Sequence, residues 1–537
     1  MKPSLFRALK SFALPALAIS CAPALAAPPA RGHCAPRYSQ DGPFEPDCAR
    51  DPRLLESNDV ALNALVFDHS ERNDPWESTF GPPGSDPKYR LGFNWGGVAR
   101  YSRSEDQLFL PASTMKLWTA WAALDSLGKD FRFESSLKWQ TNPESPSIAW
   151  NLTLESDGDP TWGMSEFGET QPEDHFRKFA IALKHAGISI VDGDIQISPI
   201  DHRWETIRFP EGWREEDRVS CYGAQPQFIN VGGNCAELLI SGPGQIQFVR
   251  NDIPVLVVDQ LQWGTKTQVR IEPINTEEVE SNGFRVTGTW KKRSNPIREW
   301  LPIHSVAQWS KSLMIQALQE QGIELRKENS RTPAQLETNS LTFFSPPLEE
   351  ILVPFLKKSL NWIGETLLRK LGQEESSEPQ NDLTNLGQRH LNRRVKILLG
   401  SDPAFEGVIY QDGSGVSHQS FTTPHASSRL LEAIRLHPQF AVFWNALPIA
   451  GVDGTLEGRM QSSAAAGWLR AKTGTLSDAY NLAGFVPSSS WNGTAIPKPD
   501  EVLPFVTLIH TQRESSKEAR ALIDRVGVRL SELQRAD

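Results

Sequence analysis

The carboxy-terminal stretch from Leu469 onward constrains the fold most tightly. Leu469 to Thr473, Tyr480 to Val486 and Leu503 to His510 are short β-favouring runs separated by turn residues, the pattern of neighbouring antiparallel strands. After them Ala519, Leu522, Ile523, Val526, Leu530 and Leu533 recur at intervals of three and four, which makes one helical face apolar. Ser515 and Glu518 have the spacing of a capping box at the start of that helix. A sheet with a face to cover and a helix with a face to hide satisfy one another, so the chain is expected to end in an antiparallel sheet covered by a helix.

Upstream, Trp118, Trp121, Ala122 and Leu124 predict a helix from Ser113 to Leu127, with Gly128 ending it. Alternation predicts strands at Ile148 to Glu155 and from Ile188 to Val191, with turns at Asp157-Gly158 and Asp192-Gly193. Helical periodicity returns at Val306 to Gln321 and around Ile363, Leu367, Leu368 and Leu371, followed by Gly372. The polar stretch Glu374 to Asn381 reads as a solvated loop, and no repeat of fixed period occurs.

With 39% hydrophobic and 22% charged residues over 537 positions, the chain is neither fibrous nor disordered, and its length asks for more than one domain. A net charge of −10 without a compensating basic run argues against nucleic acid as a partner. The first forty residues hold no Asp or Glu. They open with Lys2, Arg7 and Lys10, continue into the apolar run Phe12 to Ile19 and reach Ala24-Leu25-Ala26. This is the layout of a secretory signal over residues 1–26, and it predicts export. Cys21 gives lipid anchoring as a weaker alternative. Residues 27–50 read as an amino-terminal extension, and no run long enough to span a membrane follows residue 26. Cleavage would leave Cys34, Cys48, Cys221 and Cys235. In an oxidising compartment Cys34 to Cys48 and Cys221 to Cys235 are the simplest of three connectivities, with free buried thiols the alternative. His418 and His425 flank a loop without an acidic or Cys partner nearby, so no metal is expected.

The chemistry begins at Ser113 and Lys116. One helical turn puts both side chains on one face, where a Lys amine of lowered pKa could take the serine proton. Alone this Ser-x-x-Lys is weak, since an ordinary helix start has the same pattern. Two further triplets, Ser359-Leu360-Asn361 ahead of a helix and Lys472-Thr473-Gly474 in the last sheet, complete a set known from serine β-lactamases and penicillin-binding proteins. Asp412-Gly-Ser-Gly-Val lacks the glycines of a nucleophile elbow, so Ser414 is placed in a tight turn near the site, and no phosphate-binding glycine loop is present.

With Pro111-Ala-Ser-Thr-Met-Lys116, Gly158-Asp-Pro-Thr161, Lys358 to Glu365, Asp412 to Ser417, Gly451-Val-Asp-Gly-Thr455 and Lys472-Thr-Gly-Thr475, the chain resembles a known family. It is the D-alanyl-D-alanine carboxypeptidase/endopeptidase family of class C low-molecular-mass penicillin-binding proteins, peptidase family S13. Leu360 departs from the Asp usual there. The resemblance implies an α/β (α+β) fold: a β-lactamase/transpeptidase-like domain from 51–135 and 338–537, its central antiparallel sheet flanked by helices. A strand-rich accessory region, of two subdomains in one reading, would occupy 136–337.

The resemblance also implies roles. Ser113 would be the nucleophile and Lys116 its base. Ser359 would relay a proton to the leaving amine, and Asn361 would orient Lys116 and the substrate amide. Lys472 and Thr473 would bind the terminal carboxylate, Gly474 would let a ligand backbone approach, and Ser113 and Thr475 would hold the oxyanion. Lys472 would also help to lower the pKa of Lys116. Peptidoglycan stem peptides would be substrates, β-lactams covalent inhibitors, the location periplasmic, and no cofactor is needed. A serine β-lactamase or esterase and a non-catalytic wall-binding protein remain as alternatives. The insertion, lacking a nucleophile and base of its own, is expected to govern access rather than chemistry.

Overall fold

The computed structural model describes residues 89–96, 101–205, 209–274, 283–326, 335–375, 382–511 and 516–536. The expected signal segment, the amino-terminal extension, Cys21, Cys34, Cys48 and the cap residue Ser515 lie outside these ranges.

In chain order, strands β1 (Tyr89–Trp95) and β2 (Tyr101–Arg103) lead into helix α1 (Lys116–Leu127). Next come β3 (Glu134–Asn142), β4 (Ser145–Ser156), α2 (Glu173–His185), β5 (Ile190–Pro199) and the short α3 (Glu215–Arg218). Six strands follow: β6 (Cys235–Gly242), β7 (Gln245–Phe248), β8 (Leu256–Gly264), β9 (Gln268–Pro273), β10 (Gly283–Lys291) and β11 (Ile297–Pro302). Then come α4 (Val306–Glu320), β12 (Glu324–Arg326), β13 (Glu337–Phe344), α5 (Leu348–Lys357), α6 (Asn361–Glu375) and α7 (Leu383–Leu399). The chain closes with α8 (Pro424–Leu436), α9 (Phe440–Ala446), β14 (Arg470–Leu476), β15 (Ala479–Pro487), β16 (Val502–Thr511) and α10 (Ser516–Ala536).

The three carboxy-terminal strands join the two amino-terminal ones in a five-stranded antiparallel sheet of order β14-β15-β16-β1-β2. Strand β15 is buried at every position, so both faces of the sheet are covered. The period of two along a strand distributes its side chains. Ala483, Phe485, Val506 and Leu508 join the cluster built from α1, α5, α6 and α8. Leu482, Val486, Phe505 and Ile509 meet Ala519, Leu522, Ile523, Val526 and Leu530 of α10. Each buried Leu, Ile, Val or Phe among these contributes about 1.5–3 kcal/mol relative to exposure, which is why the apolar stripe of α10 is decisive.

Strands β3 and β13 pair antiparallel from Glu134 opposite Phe344 to Thr141 opposite Glu337, so the chain leaves and returns on neighbouring strands. Both belong to a five-stranded mixed sheet of order β12-β5-β4-β3-β13, with α2 and α4 contributing to the same apolar cluster, and the chain between them also forms two three-stranded sheets, β11-β6-β7 and β8-β10-β9.

Three local expectations change. Asp192-Gly193 is not a turn: it lies inside β5, where the register with β4 slips between Trp150 and Leu152, a bulge that absorbs the extra residue. Gly372 does not end α6, which runs to Glu375. The glycine is instead where α7 crosses closely, since a Cβ there would sit 2.3 Å from the Leu383 carbonyl oxygen. Glu374 therefore belongs to a helix rather than a loop, while residues 376–381 lie outside the described ranges.

A second close approach bears on the site. Added Cβ atoms on Gly413 and Gly364 would lie 2.1 and 2.7 Å from each other's carbonyl oxygens, so α6 and the 412–417 loop touch backbone to backbone. Gly413→Ala is expected to cost about 1–3 kcal/mol through overpacking. A thermal or urea unfolding midpoint equal to that of the unaltered chain would rule out this tight contact.

Candidate active site

Ser113 stands on a 3-10 turn, Ala112–Met115, that runs directly into α1, and the Lys116 N–H donates to the Ser113 carbonyl. Side chains three apart eclipse in a 3-10 turn, which explains why Lys116 Nζ reaches Ser113 Oγ at 2.9 Å. The turn carries a left-handed residue that is not glycine, Ala112 at φ 45°. It is anchored by Asn481 of β15, whose Nδ2 donates to the Leu110 and Pro111 carbonyls at 2.9 and 2.8 Å.

Lys116 is fully buried. Its amine meets Asn361 Oδ1 at 2.7 Å and the Ser414 carbonyl at 2.6 Å besides the serine. Burial lowers its pKa to about 7, against the opposing pull of Asp412 and Glu365. Desolvation is the leading cause of this shift. Lys472, also fully buried, is itself pushed well below the usual lysine range by burial and then by the Lys116 charge.

The second triplet joins the first at Asn361, the first residue of α6. Ser359 takes a left-handed φ of 61°, and its Oγ accepts from Lys472 Nζ at 3.0 Å. Leu360 packs against the main apolar cluster, while the neighbouring Ser359 hydroxyl and Asn361 amide contact Lys472 and Lys116. Lys472, Thr473, Gly474 and Thr475 lie on β14, which among the described residues is the edge strand of the central sheet, bridged on its outer side by Ile449 opposite Arg470. Thr473 Oγ1 donates to Thr455 Oγ1 at 2.8 Å. An added Cβ on Gly474 would lie 2.9 Å from the Pro111 carbonyl oxygen, so the strand presses against the Ser113 turn. All three triplets thus converge.

Several participants carry no signal in the triplets. Asp412 is buried and accepts from the Gly415, Val416 and Ser417 N–H groups at 3.0, 2.7 and 2.8 Å, which folds the loop that offers the Ser414 carbonyl to Lys116. Asp followed by Gly-Ser-Gly is a turn signal, and the segment Asp412 to Ser417 also belongs to the family resemblance, but neither assigns Asp412 this role. Glu365, buried one turn after Asn361, accepts from the Gly413 N–H at 3.1 Å; burial and Asp412 push its carboxyl up to about 8. Asp412 is likewise raised by burial.

The inserted region also reaches the site. Trp213 Nε1 donates to Asp412 at 3.1 Å, and Ser417 Oγ donates to the Glu211 carbonyl at 2.5 Å. The Tyr222 carbonyl accepts from Asn361 Nδ2 at 2.7 Å. Cys221 and Cys235 form a disulfide. His418 pairs with Arg214 and His425 with Asp106, both at 3.1 Å, and among the described residues no cluster of three His, Cys, Asp or Glu could hold a metal.

Comparison with known proteins bears on this geometry. The profile of the D-Ala-D-Ala carboxypeptidase 3 (S13) family matches residues 97–526. A D-alanyl-D-alanine carboxypeptidase of Actinomadura sp. (strain R39) is 28% identical over 462 residues, 81% of this chain and 79% of that protein. The D-alanyl-D-alanine carboxypeptidase DacB of Haemophilus influenzae is 26% identical over 407 residues, 73% of this chain and 80% of that protein. The crystal structure of penicillin binding protein 4 (dacB) from Haemophilus influenzae superposes with a TM-score of 0.66 at 23% identity, covering 84% of this chain and 97% of that one. The fold is thus the transpeptidase/β-lactamase-like fold with an inserted domain. With the profile spanning most of the sequence, the chain belongs to the D-Ala-D-Ala carboxypeptidase 3 (S13) family of serine peptidases.

Proposed function

We propose that the protein cleaves the bond between the two terminal D-alanines of peptidoglycan stem peptides through an acyl-enzyme on Ser113. The observation that carries this is the fully buried Lys116 amine, 2.9 Å from Ser113 Oγ and with a pKa lowered to about 7. Such an amine is substantially neutral at neutral pH, and a neutral amine can take the serine proton as Oγ attacks the carbonyl. Ser359, with Lys472 behind it at 3.0 Å, relays to the departing amine the proton that Lys116 took, so that Lys116 is neutral again for hydrolysis. The Ser113 and Thr475 N–H groups receive the oxyanion, a contribution of about 3–4 kcal/mol. Thr473 and Lys472 bind the terminal carboxylate, whose negative charge would return Lys472 toward its ammonium form. Water then frees the acyl group. Cleaving a cross-link between stem peptides uses the same acyl centre, so endopeptidase activity belongs to the same proposal.

β-Lactams present an analogous carbonyl, and a structure of the Haemophilus influenzae penicillin binding protein 4 is a complex with a β-lactam. We extend this to covalent acylation of Ser113. The division into a catalytic part (51–135 and 338–537) and an accessory region (136–337), and export to the periplasm after residue 26, are part of the same proposal. No helix among the described residues is long and apolar enough to cross a membrane.

Labelled penicillin should form a stable adduct that Ser113→Ala abolishes; mass spectrometry placing it on another serine would overturn the assignment. The second-order acylation rate should rise with pH through a midpoint near 7, because the reactive form of Lys116 is the one that has lost its proton. A flat profile would remove Lys116 as the base. Lys472→Ala should lower acylation about a hundredfold, read by stopped-flow or gel-based kinetics, and an unchanged rate would remove its role.

A further inference from the structure

The acyl-transfer reading gives the inserted region no part in the chemistry, yet the region touches a group that touches the base. The Asn361 amide lies between two partners, with Oδ1 2.7 Å from Lys116 Nζ and Nδ2 2.7 Å from the Tyr222 carbonyl. A carboxamide has a donor end and an acceptor end, and a backbone carbonyl can only accept. Tyr222 therefore admits one orientation of the amide, with its oxygen toward Lys116.

That orientation decides where the lone pair of Lys116 points. A neutral amine has two N–H groups and one lone pair. Asn361 Oδ1 and the Ser414 carbonyl, both acceptors, take the two N–H groups, and the lone pair is left for Ser113 Oγ at 2.9 Å. With the amide reversed, its NH2 would compete with the serine for that lone pair.

The position of the Tyr222 carbonyl is set by its neighbour. Cys221 is bonded to Cys235, the first residue of β6, which is held in a sheet opposite Pro302 of β11. The loop so closed is braced from within by Asn234, which donates to the Gln225 carbonyl at 3.0 Å and accepts from the Val231 N–H at 2.9 Å. It lies along α6, where Arg369 donates to the Pro226 carbonyl and the Trp362 ring would come within 3.1 Å of a Cβ on Gly233.

We propose that the disulfide-closed loop Cys221–Cys235 is a positioning element of the acylation step: it holds the Tyr222 carbonyl where it orients the Asn361 amide and, through it, the lone pair of Lys116. The proposal rests on Lys116 being the base. It revises the expectation that the insertion controls access alone.

The test is a cycle on the full chain, reading the second-order acylation rate with a labelled penicillin across pH. Cys221→Ser/Cys235→Ser opens the loop in the natural background and in Asn361→Ala, and near-UV circular dichroism checks folding. In the natural background the rate should fall about tenfold, the scale of a misoriented catalytic group, and the midpoint of the pH profile should move. In the Asn361→Ala background, opening the loop should change almost nothing, because the group it acts through is gone. An equal loss in both backgrounds would mean general loosening and overturn the proposal, as would an undiminished rate in the natural background. Should the serine pair not fold, phosphine reduction of the folded natural and Asn361→Ala proteins gives the same comparison. Failure of the base assignment is read separately, as a missing pH midpoint near 7 in the oxidised natural chain.

Discussion

Removing the Lys116 ammonium from water is the constraint around which the site is arranged. An ammonium taken fully into a protein loses several kcal/mol of hydration even after relaxation, and here burial brings the amine to a pKa of about 7. What keeps it from falling further is the pair of buried carboxylates, Asp412 and Glu365, which favour the charged form. They are themselves raised by burial, and Glu365 further by the charge of Asp412. Three ionisable groups thus share a dry pocket with fewer charges than their number would suggest, and the acceptors around Lys116 serve its neutral and its charged form alike. The loop that supplies the Ser414 carbonyl exists because Asp412 gathers three backbone N–H groups, so the residue that tunes the amine also builds its surroundings.

Helix α6 carries this arrangement outward. Asn361, Glu365 and Arg369 follow at four-residue spacing on one face. They reach the Tyr222 carbonyl, the Gly413 N–H and the Pro226 carbonyl respectively. Further along, Lys370 pairs with Asp157 at 2.9 Å and Gln373 Nε2 donates to Asp201 at 3.0 Å. One helix therefore faces the catalytic loop and the inserted region at once, and Trp213 and Glu211 add contacts to that same loop. An insertion fastened in this way is bonded to the same helix and loop that surround Lys116, which differs from a module hung beside a cleft.

The sequence by itself determined what short-range geometry decides. The β-favouring runs of β15 and β16 and the three-and-four spacing of α10 are patterns of local backbone shape, and they survive into the structure. The contact of Ser113 with Lys116 follows from an interval of three residues, and the three triplets named side chains that the fold brings together. Tertiary structure decided the rest. Asp192-Gly193 looks like a turn and Gly372 like a helix stop until a neighbouring strand and a crossing helix give them other work. Whether Lys116 is a base depends on the burial that the whole packed core imposes, which no local pattern encodes. The carbonyls of Ser414 and Tyr222 could not be found in advance, because every residue carries the same acceptor and only the folded chain brings a particular one to a particular amine or amide.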